Sequence, residues 1–236
     1  MGKGVVSEQA DLGCCDMERA LVIGATGGIG GALAAVLHGR GVQVTGLSRA
    51  DGLDLTRPDT VAPAMAALTG PFDLIIIATG ILAPPGEGPE KALSAVEADS
   101  MAQVLAINAI GPALLLAQVP RLIARDRPAV VAVLSARVGS IGDNRLGGWY
   151  SYRASKAALN QIIRGASVEF ARSHRQACVV ALHPGTVATP FTAAYRGNHP
   201  AQAPAQAAEQ MLGVLDRLTA ADTGRFLDWQ GTEVPW

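Results

Sequence analysis

Residues 21–30 read LVIGATGGIG, an apolar run followed at once by a glycine-rich turn and a segment of helical composition. Gly24 permits a tight strand-to-helix turn, Gly28 lets the backbone approach a pyrophosphate, and Gly30 brings the helix close to the sheet. The N-terminus of such a helix offers free N–H donors and the positive end of its dipole. The stretch therefore predicts a dinucleotide phosphate site made by Gly24, Thr26, Gly27, Gly28, Ile29 and Gly30.

The rest of the chain alternates between apolar runs and helical segments. Strands are predicted at 21–24, 42–47, 73–79, 129–135, 177–183 and 225–229, and helices at 28–39, 100–124, 149–172 and 203–218. The strands read as continuously apolar, which is typical of a parallel sheet covered by helices on both faces. The pattern predicts a three-layer α/β fold with a doubly wound sheet of the Rossmann type.

Composition excludes several classes of protein. Of 236 residues, 49% are hydrophobic and 17% are charged, which is too apolar for a disordered chain. A net charge of −1 argues against a nucleic-acid partner. The four histidines show no metal-ligand spacing, and Cys14, Cys15 and Cys178 suit a reducing compartment.

The N-terminal residues 1–18 are predicted to be a polar extension, ordered or disordered, with Met17 as an alternative start, so the domain is expected to span 19–236. We expect no membrane span, because the longest apolar stretch falls short of the ~20 residues that a bilayer requires. Without an apolar signal segment, the predicted location is the cytoplasm.

The end of the second predicted strand bears on the choice of cofactor. An acidic residue there would bind the ribose hydroxyls of NAD and repel a 2′-phosphate, but this chain has Ser48 and Arg49. A hydroxyl and a guanidinium can bind a phosphate dianion, which favours NADP(H) and leaves NAD(H) possible. The alternative is that Arg49 only solvates a loop. Asp54, followed by Leu55, would contact the adenine through its carboxylate or act as a helix N-cap before Thr56.

A second motif combines Tyr152 and Lys156, which an i,i+4 spacing places on one face of a helix. A neighbouring cation favours the phenolate, so we expect Lys156 to lower the pKa of Tyr152 and to make it an acid/base group. An exposed Tyr–Lys pair on an amphipathic helix is the alternative interpretation.

Taken together, these motifs resemble the short-chain dehydrogenase/reductase family over about residues 19–236. Residues 134–141 and 147–152, LSARVGSI and GGWYSY, are most similar to its branch of C-factor-like and sniffer-like carbonyl reductases. The resemblance implies about seven parallel strands and hydride transfer between the nicotinamide C4 and a carbonyl or alcohol carbon. Tyr152 would be the acid/base, and Lys156 would hold the nicotinamide ribose.

Further site residues follow from the same resemblance. Asn108 matches a helix asparagine that supports a proton-relay water, although it also fits a buried polar residue satisfied within its helix. The backbone of Val187 would meet the nicotinamide carboxamide, and Thr189 would lie on the phosphate side of the cofactor. The remaining predicted cofactor contacts are Ala78, Thr79 and Gly80 beside the adenosine, and Pro184 and Gly185 in a Pro-Gly turn.

The catalytic serine is where the chain departs from the family pattern. The family usually has two serines and uses the second, whereas this chain reads Ser135-Ala136. Ser135 is the first choice because it ends a strand, and Ser140 is the alternative from its spacing to Tyr152. Loss of such a donor typically lowers the rate about 10²-fold or more.

Two hypotheses for function follow. The first is an NADP(H)-dependent reductase of a small or medium carbonyl compound, or the corresponding alcohol dehydrogenase. Its substrate loop at 190–204 would contribute Phe191 and Tyr195, with His199 as a solvated residue. The second is a dinucleotide-binding signalling or regulatory protein with little turnover. By resemblance, the helices around Asn108 and Tyr152 would form a homodimer or homotetramer.

Overall fold

The computed structural model describes residues 17–193 and 200–236. These residues form six strands and six α-helices. In chain order they are β1 Arg19–Ile23, α1 Gly28–Gly39, β2 Gln43–Leu47, α2 Val61–Ala66, β3 Leu74–Ile77, α3 Ala98–Leu105, α4 Gly111–Leu116, β4 Ala129–Leu134, α5 Tyr150–Ser173, β5 Ala177–His183, α6 Pro204–Leu215 and β6 Phe226–Asp228.

All the strands pair in parallel in one sheet with the order β2-β1-β3-β4-β5-β6. The chain leaves β1 toward β2 on one side and then crosses to β3 on the other. The strand order therefore reverses between β1 and β3, and ligands of such sheets bind at the carboxyl ends of the strands at this point. The predicted doubly wound α/β fold is confirmed.

The strand count differs from the expected number of about seven. Between β2 and β3 the chain forms two 3-10 turns and the short helix α2, which the sequence did not predict. Gly52 adopts a left-handed conformation at φ 85°, and Pro58 opens a 3-10 turn. These residues interrupt an extended backbone, so the described residues contain six strands.

Side chains alternate between the two faces of the sheet and form two separate apolar layers. Ile75 and Val131 pack on one face with Leu159 of α5, and Ile76 and Val180 pack on the other face in the layer formed with α1 and α6. This arrangement gives the three predicted layers. Strand β2 is the exception to the predicted continuous burial, because it lies at the sheet edge and its central residues are partly or fully exposed.

The predicted helix at 100–124 is interrupted in the structure. A π-helical turn at Ala106–Ile110 separates α3 from α4, and the N–H of Gly111 donates to the carbonyl of Ala106 five residues earlier. The continuous helical run Ala98–Arg121 is long and apolar enough to cross a membrane by length and composition alone, which is weak evidence for a span. In this structure α3, the π turn and α4 all contact α5.

Candidate functional site

The glycine-rich turn sits at the carboxyl end of β1, directly below the start of α1. Gly24 has φ 90°, and its N–H donates to the carbonyl of Leu47 over 2.7 Å. A Cβ on Gly30 would collide with the carbonyl oxygen of Gly24, so only glycine lets the helix pack this closely. The N-cap residue of α1, Gly27, carries no side chain, and the first turn of the helix contains no acidic residue. The helix therefore directs backbone N–H groups toward the groove above the sheet.

Two cavities lie along this edge of the sheet and share Thr26, Gly27 and residues 78–80, so they form one groove. The first, here the β1–β2 cavity, has a volume of about 240 Å³. Its other predicted lining residues are Gly24, Ser48, Arg49, Asp54 and Leu55. The second, the β4–α5 cavity, has a volume of about 470 Å³. Its other predicted lining residues are Gly28, Ile29, Ser135, Tyr152, Lys156, Pro184, Gly185, Val187 and Thr189.

The structure thus brings most of the predicted site residues together in one groove. Three of them line neither cavity, namely Gly30, Asn108 and Ser140. Predicted residues Tyr195 and His199 lie outside the described residues.

At the end of β2, the two residues predicted to bind a phosphate have different surroundings. The Ser48 hydroxyl donates to the Asp51 carboxylate over 2.8 Å and caps the 3-10 turn at Arg49–Asp51. Its proton is therefore already used within the turn. Arg49 is exposed at the rim of the β1–β2 cavity. Any recognition of a phosphate at this point depends mainly on the Arg49 guanidinium.

Asp54 lines the same cavity but also holds a turn. Its Oδ1 accepts hydrogen bonds from the Thr56 N–H over 2.9 Å and from the Thr56 hydroxyl over 2.7 Å. These bonds lower the pKa of the Asp54 carboxyl. Asp54 therefore caps a turn and not the expected helix, because the next 3-10 turn begins only at Pro58. Leu55 beside it packs against Gly111, where a Cβ would lie 2.9 Å from the Leu55 side chain.

Tyr152 and Lys156 lie in the first two turns of α5 and face the β4–α5 cavity. Both are buried, and the Lys156 ammonium lies 6.0 Å from the centre of the Tyr152 ring. Lys156 Nζ donates to the carbonyl of Leu134 over 2.9 Å. This places a phenol and an amine together at the end of β4.

The pKa values of this pair differ from the prediction. Burial raises the pKa of Tyr152 well above its ordinary value of 10.0, whereas Lys156 was expected to lower it. Burial also lowers the pKa of Lys156 to about 8. Desolvation disfavours the charged form of each group, and here it outweighs the attraction between an ammonium and a phenolate. In the protein alone, Tyr152 is held as a neutral phenol.

Asn108 lies in the π turn, behind the groove. Its Oδ1 accepts from the Ile81 N–H, and its Nδ2 donates to the Ile81 carbonyl over 2.8 Å and to the Ser155 hydroxyl over 3.0 Å. Ser155 in turn donates to the carbonyl of Tyr152 over 2.8 Å. The amide thus links the end of β3 to the first turn of α5 and does not line the groove. The role of Asn108 in cofactor binding and its relay role both stay predictions.

Of the two candidate serines, only Ser135 lines the cavity with Tyr152. Ser140 is buried elsewhere, where its hydroxyl accepts from the Asp143 N–H and donates to the Trp236 carbonyl. Ala136 belongs to the same buried apolar cluster as Tyr152 and Leu82. The residue after Ser135 therefore adds a methyl group to the surroundings of Tyr152 and carries no hydroxyl.

The turn after β5 closes the cavity on the other side. Gly185 has φ 74°, and a Cβ there would lie 2.7 Å from the Trp229 ring. Thr189 lies so close to the glycine-rich turn that a Cβ on Gly28 would approach its methyl group at 2.6 Å. The Phe191 ring lies 6.0 Å from the ring of Tyr152. The walls are therefore apolar around a few polar groups.

Sequence reasoning missed several residues of the groove. Ile81 and Ile107 line the β1–β2 cavity, and Leu134 lines the β4–α5 cavity. They are apolar residues in apolar runs, so no sequence signal separates them from the core. Asn160, which contacts Ser135, was also missed, although an asparagine one turn after Lys156 is a recognisable polar residue on a buried helix face.

The groove fits a dinucleotide cofactor. Backbone N–H groups and close-packed glycines form a phosphate cradle at α1, and the groove continues to Tyr152 and Lys156. The Thr79 hydroxyl is buried beside the cradle and has no hydrogen-bond partner among the described residues. A ligand with polar groups along its length, such as a dinucleotide, satisfies these donors.

Comparisons with known proteins agree with this geometry. Residues 52–200 match the family model described as short chain dehydrogenase. The chain is 32% identical over 236 residues to a 1-hydroxy-2-glutathionyl-2-methyl-3-butene dehydrogenase of Rhodococcus sp. (strain AD45), covering 93% of this chain and 100% of that protein. It is 37% identical over 169 residues to the C-signal protein of Myxococcus xanthus, covering 71% of this chain and 95% of that protein.

Among solved structures, an NADPH-bound carbonyl reductase from chicken fatty liver matches with a TM-score of 0.79 and 25% identity, over 93% of this chain and 99% of that chain. The carbonyl reductase Sniffer of D. melanogaster shares the fold with a TM-score of 0.76 and 20% identity, over 93% of this chain and 100% of that chain. The family match covers more than half of the sequence. The chain therefore belongs to the short-chain dehydrogenase family, whose members are oxidoreductases acting on CH–OH and C=O groups.

Proposed function

We propose that this chain, with residues 19–236 as one catalytic domain, is an NADP(H)-dependent reductase of a small or medium carbonyl compound. The single observation that carries the proposal is the buried Tyr152 phenol in the cavity that continues from the phosphate cradle. A phenol held in its neutral form can donate a proton to a carbonyl oxygen, which is the step that reduction requires. Oxidation of the alcohol is the same reaction in reverse.

The bound cofactor would supply the hydride from its nicotinamide ring. Tyr152 donates the proton to the substrate oxygen, and Ser135 binds that oxygen from the end of β4. Lys156, anchored on the carbonyl of Leu134, holds the nicotinamide ribose. Its ammonium balances the negative charge that forms on the Tyr152 oxygen when Tyr152 loses its proton. Asn108 supports the relay from behind through Ser155. The backbone at Val187 would meet the nicotinamide carboxamide, and Thr189 would lie on the phosphate side of the cofactor.

NADP(H) is the preferred cofactor in this proposal, and NAD(H) is the second candidate. The preference is supported by the exposed guanidinium of Arg49 at the end of β2, where a 2′-phosphate would lie. The Asp51 carboxylate nearby accepts from both the N–H and the hydroxyl of Ser48, so one of its oxygens is engaged within its own turn. The chicken carbonyl reductase structure holds NADPH, which agrees with this choice.

The substrate class follows from the walls of the β4–α5 cavity. Phe191, Pro190 and Val187 present apolar surface around Ser135 and Tyr152. Such a site fits an aldehyde or ketone with an apolar body. The similarity to the Rhodococcus dehydrogenase adds a glutathione-conjugated alcohol as a second substrate to test.

A regulatory protein with little turnover is the alternative function. It is favoured by one feature of the site, the methyl group of Ala136 in the apolar cluster that contains Tyr152, and by the similarity to the C-signal protein. In this case the groove would bind the dinucleotide, but the substrate oxygen would lack a well-placed donor.

The test is a titration of the purified protein with NADPH and NADH by fluorescence, followed by absorbance assays at the nicotinamide band. The assay panel contains aldehydes, ketones, quinones and a glutathione-conjugated alcohol. Tight NADPH binding with turnover of any member supports the reductase. Binding without turnover across the panel favours the regulatory alternative, and failure to bind either nucleotide contradicts both.

The proposal also includes the assembly and location of the protein, which we expect to form a homodimer or homotetramer in the cytoplasm. Ile110 and Leu114 are 52% and 36% exposed on the π turn and α4, and Val168 is 45% exposed on α5. Apolar side chains on neighbouring helices suit a helix-to-helix interface between subunits. Analytical ultracentrifugation should show an assembly in the wild-type protein and dissociation in Ile110→Glu.

A further inference from the structure

Asn160 on α5 is buried, with 4% of its surface exposed, and lies one helical turn after Lys156. The Ser135 hydroxyl donates to its Oδ1 over 2.5 Å. Its Nδ2 is also buried and has no hydrogen-bond partner among the described residues. A buried amide with one bonded and one unpaired end is uncommon, and the bonded end holds the serine that lines the cavity.

The direction of this hydrogen bond matters for the chemistry of the site. A serine hydroxyl has one proton to donate and two lone pairs to accept. Because the Ser135 proton points to Asn160, Ser135 presents only lone pairs to the cavity. A substrate oxygen that gains negative charge requires a donor, so this arrangement does not stabilise it.

A half-turn of the Asn160 amide reverses the arrangement. The amide oxygen and nitrogen are nearly equal in size, so the turn exchanges them without moving neighbouring atoms. Nδ2 then donates to the Ser135 oxygen, and the Ser135 proton is free to point into the cavity. Each arrangement leaves one amide atom unpaired, so the two are close in energy. The bond from Lys156 to the carbonyl of Leu134 keeps α5 and β4 at a fixed distance while the amide turns.

We propose that Asn160 is a positioning residue that sets the direction of the Ser135 hydroxyl, with a half-turn of its amide converting Ser135 from an acceptor into a donor for the substrate oxygen. The inference rests on the proposed function, because it needs Ser135 to bind the reacting oxygen. It adds a residue that acts through Ser135 and does not touch the substrate.

A double-mutant cycle tests the proposal in the NADPH-dependent assay. Asn160→Asp supplies a carboxylate that can only accept, so the Ser135 proton stays directed away from the substrate. We expect kcat to fall about 10-fold or more with KM changed less than about threefold, which is the signature of an interaction made in the transition state. In a Ser135→Ala background, the same substitution should change kcat by less than about threefold, because the two residues act as one unit.

The Ser135→Ala background also controls for the effect of a new carboxylate on Lys156, since that effect would persist there. Asn160→Leu is the second variant. It removes the acceptor and leaves the Ser135 hydroxyl free to turn toward the cavity, so its kcat should lie closer to wild type than that of Asn160→Asp. If Asn160 had only a structural role, Asn160→Leu would lower kcat at least as much as Asn160→Asp.

A measurement without cofactor keeps the test independent of turnover. The melting temperatures of Ser135→Ala, Asn160→Leu and the double variant should be non-additive, because the side chains share one hydrogen bond. Additive shifts, or equal effects of Asn160→Asp on kcat in both backgrounds, would overturn the inference while leaving the reductase intact. Absence of turnover in the wild-type protein would overturn the proposed function as well.

Discussion

The two halves of the groove handle charge in different ways. In the β1–β2 cavity the cation is Arg49, which lies exposed on a loop, whereas in the β4–α5 cavity it is Lys156, which is 4% exposed. An exposed guanidinium stays charged and well hydrated and can recognise an anion. A buried amine loses hydration, and burial lowers its pKa to about 8. One half is therefore suited to recognition, and the other is suited to proton transfer.

The largest effect should come from the buried phenol. Tyr152→Phe removes only the hydroxyl, and we expect the rate of carbonyl reduction to fall about 10²- to 10⁴-fold, as is usual when a general acid is lost. Fluorescence titration should show NADPH affinity within a few-fold of wild type, because the β1–β2 cavity is unchanged. Retained activity would show that the β4–α5 cavity is not where proton transfer occurs.

Lys156 should give a pH-dependent effect on stability. Its pKa is about 8 in the folded protein and near its ordinary value of 10.5 in the unfolded chain. Between these values the unfolded chain binds the extra proton, so the contribution of Lys156 to stability rises with pH. From pH 8 to 9.5 the free energy of unfolding of the wild-type protein should gain about 1.5 kcal/mol relative to Lys156→Met. Urea unfolding of both proteins checks this, and parallel pH profiles would contradict burial of the amine.

Arg49 should affect binding selectively. Arg49→Ala removes an exposed charge, and we expect the Kd for NADPH to rise about 10-fold, the value of one charge-assisted hydrogen bond. The Kd for NADH should change less than about twofold, and this nucleotide serves as the internal control. Equal losses for both nucleotides would show that Arg49 contacts a shared part of the cofactor or supports its loop.

The smallest effect on catalysis should come from Ser140. It lines neither cavity, and its hydroxyl holds the turn at Asp143. Ser140→Ala should therefore lower the melting temperature while kcat stays within about threefold of wild type, since the loss is one buried hydrogen bond of about 1 kcal/mol. Steady-state kinetics beside a thermal melt separates the two effects. A loss of kcat comparable to that of Tyr152→Phe would reverse the assignment of the serine.

Both cavities of the groove could be located from the sequence, but not all of the hydrogen bonds that their side chains make. The glycines at 24, 28 and 30 and the Tyr152–Lys156 spacing are local patterns, because a turn and one helical face involve residues close along the chain. The state of the Ser48 hydroxyl depends on Asp51 three residues away, which is equally local but was not foreseen. The contact of Ser135 with Asn160 joins a strand to a helix across 25 residues, and no spacing rule predicts it.

The sequence by itself determined the α/β class, the positions of the six strands, and most of the residues that meet at the carboxyl edge of the sheet, because periodicity and glycine turns are local properties of the chain. Only the tertiary structure decided that a π turn interrupts the helix predicted at 100–124, that Asn108 sits behind the groove, and that burial raises the pKa of Tyr152. Desolvation depends on everything packed around a group, and the residues that surround Tyr152 come from distant parts of the chain.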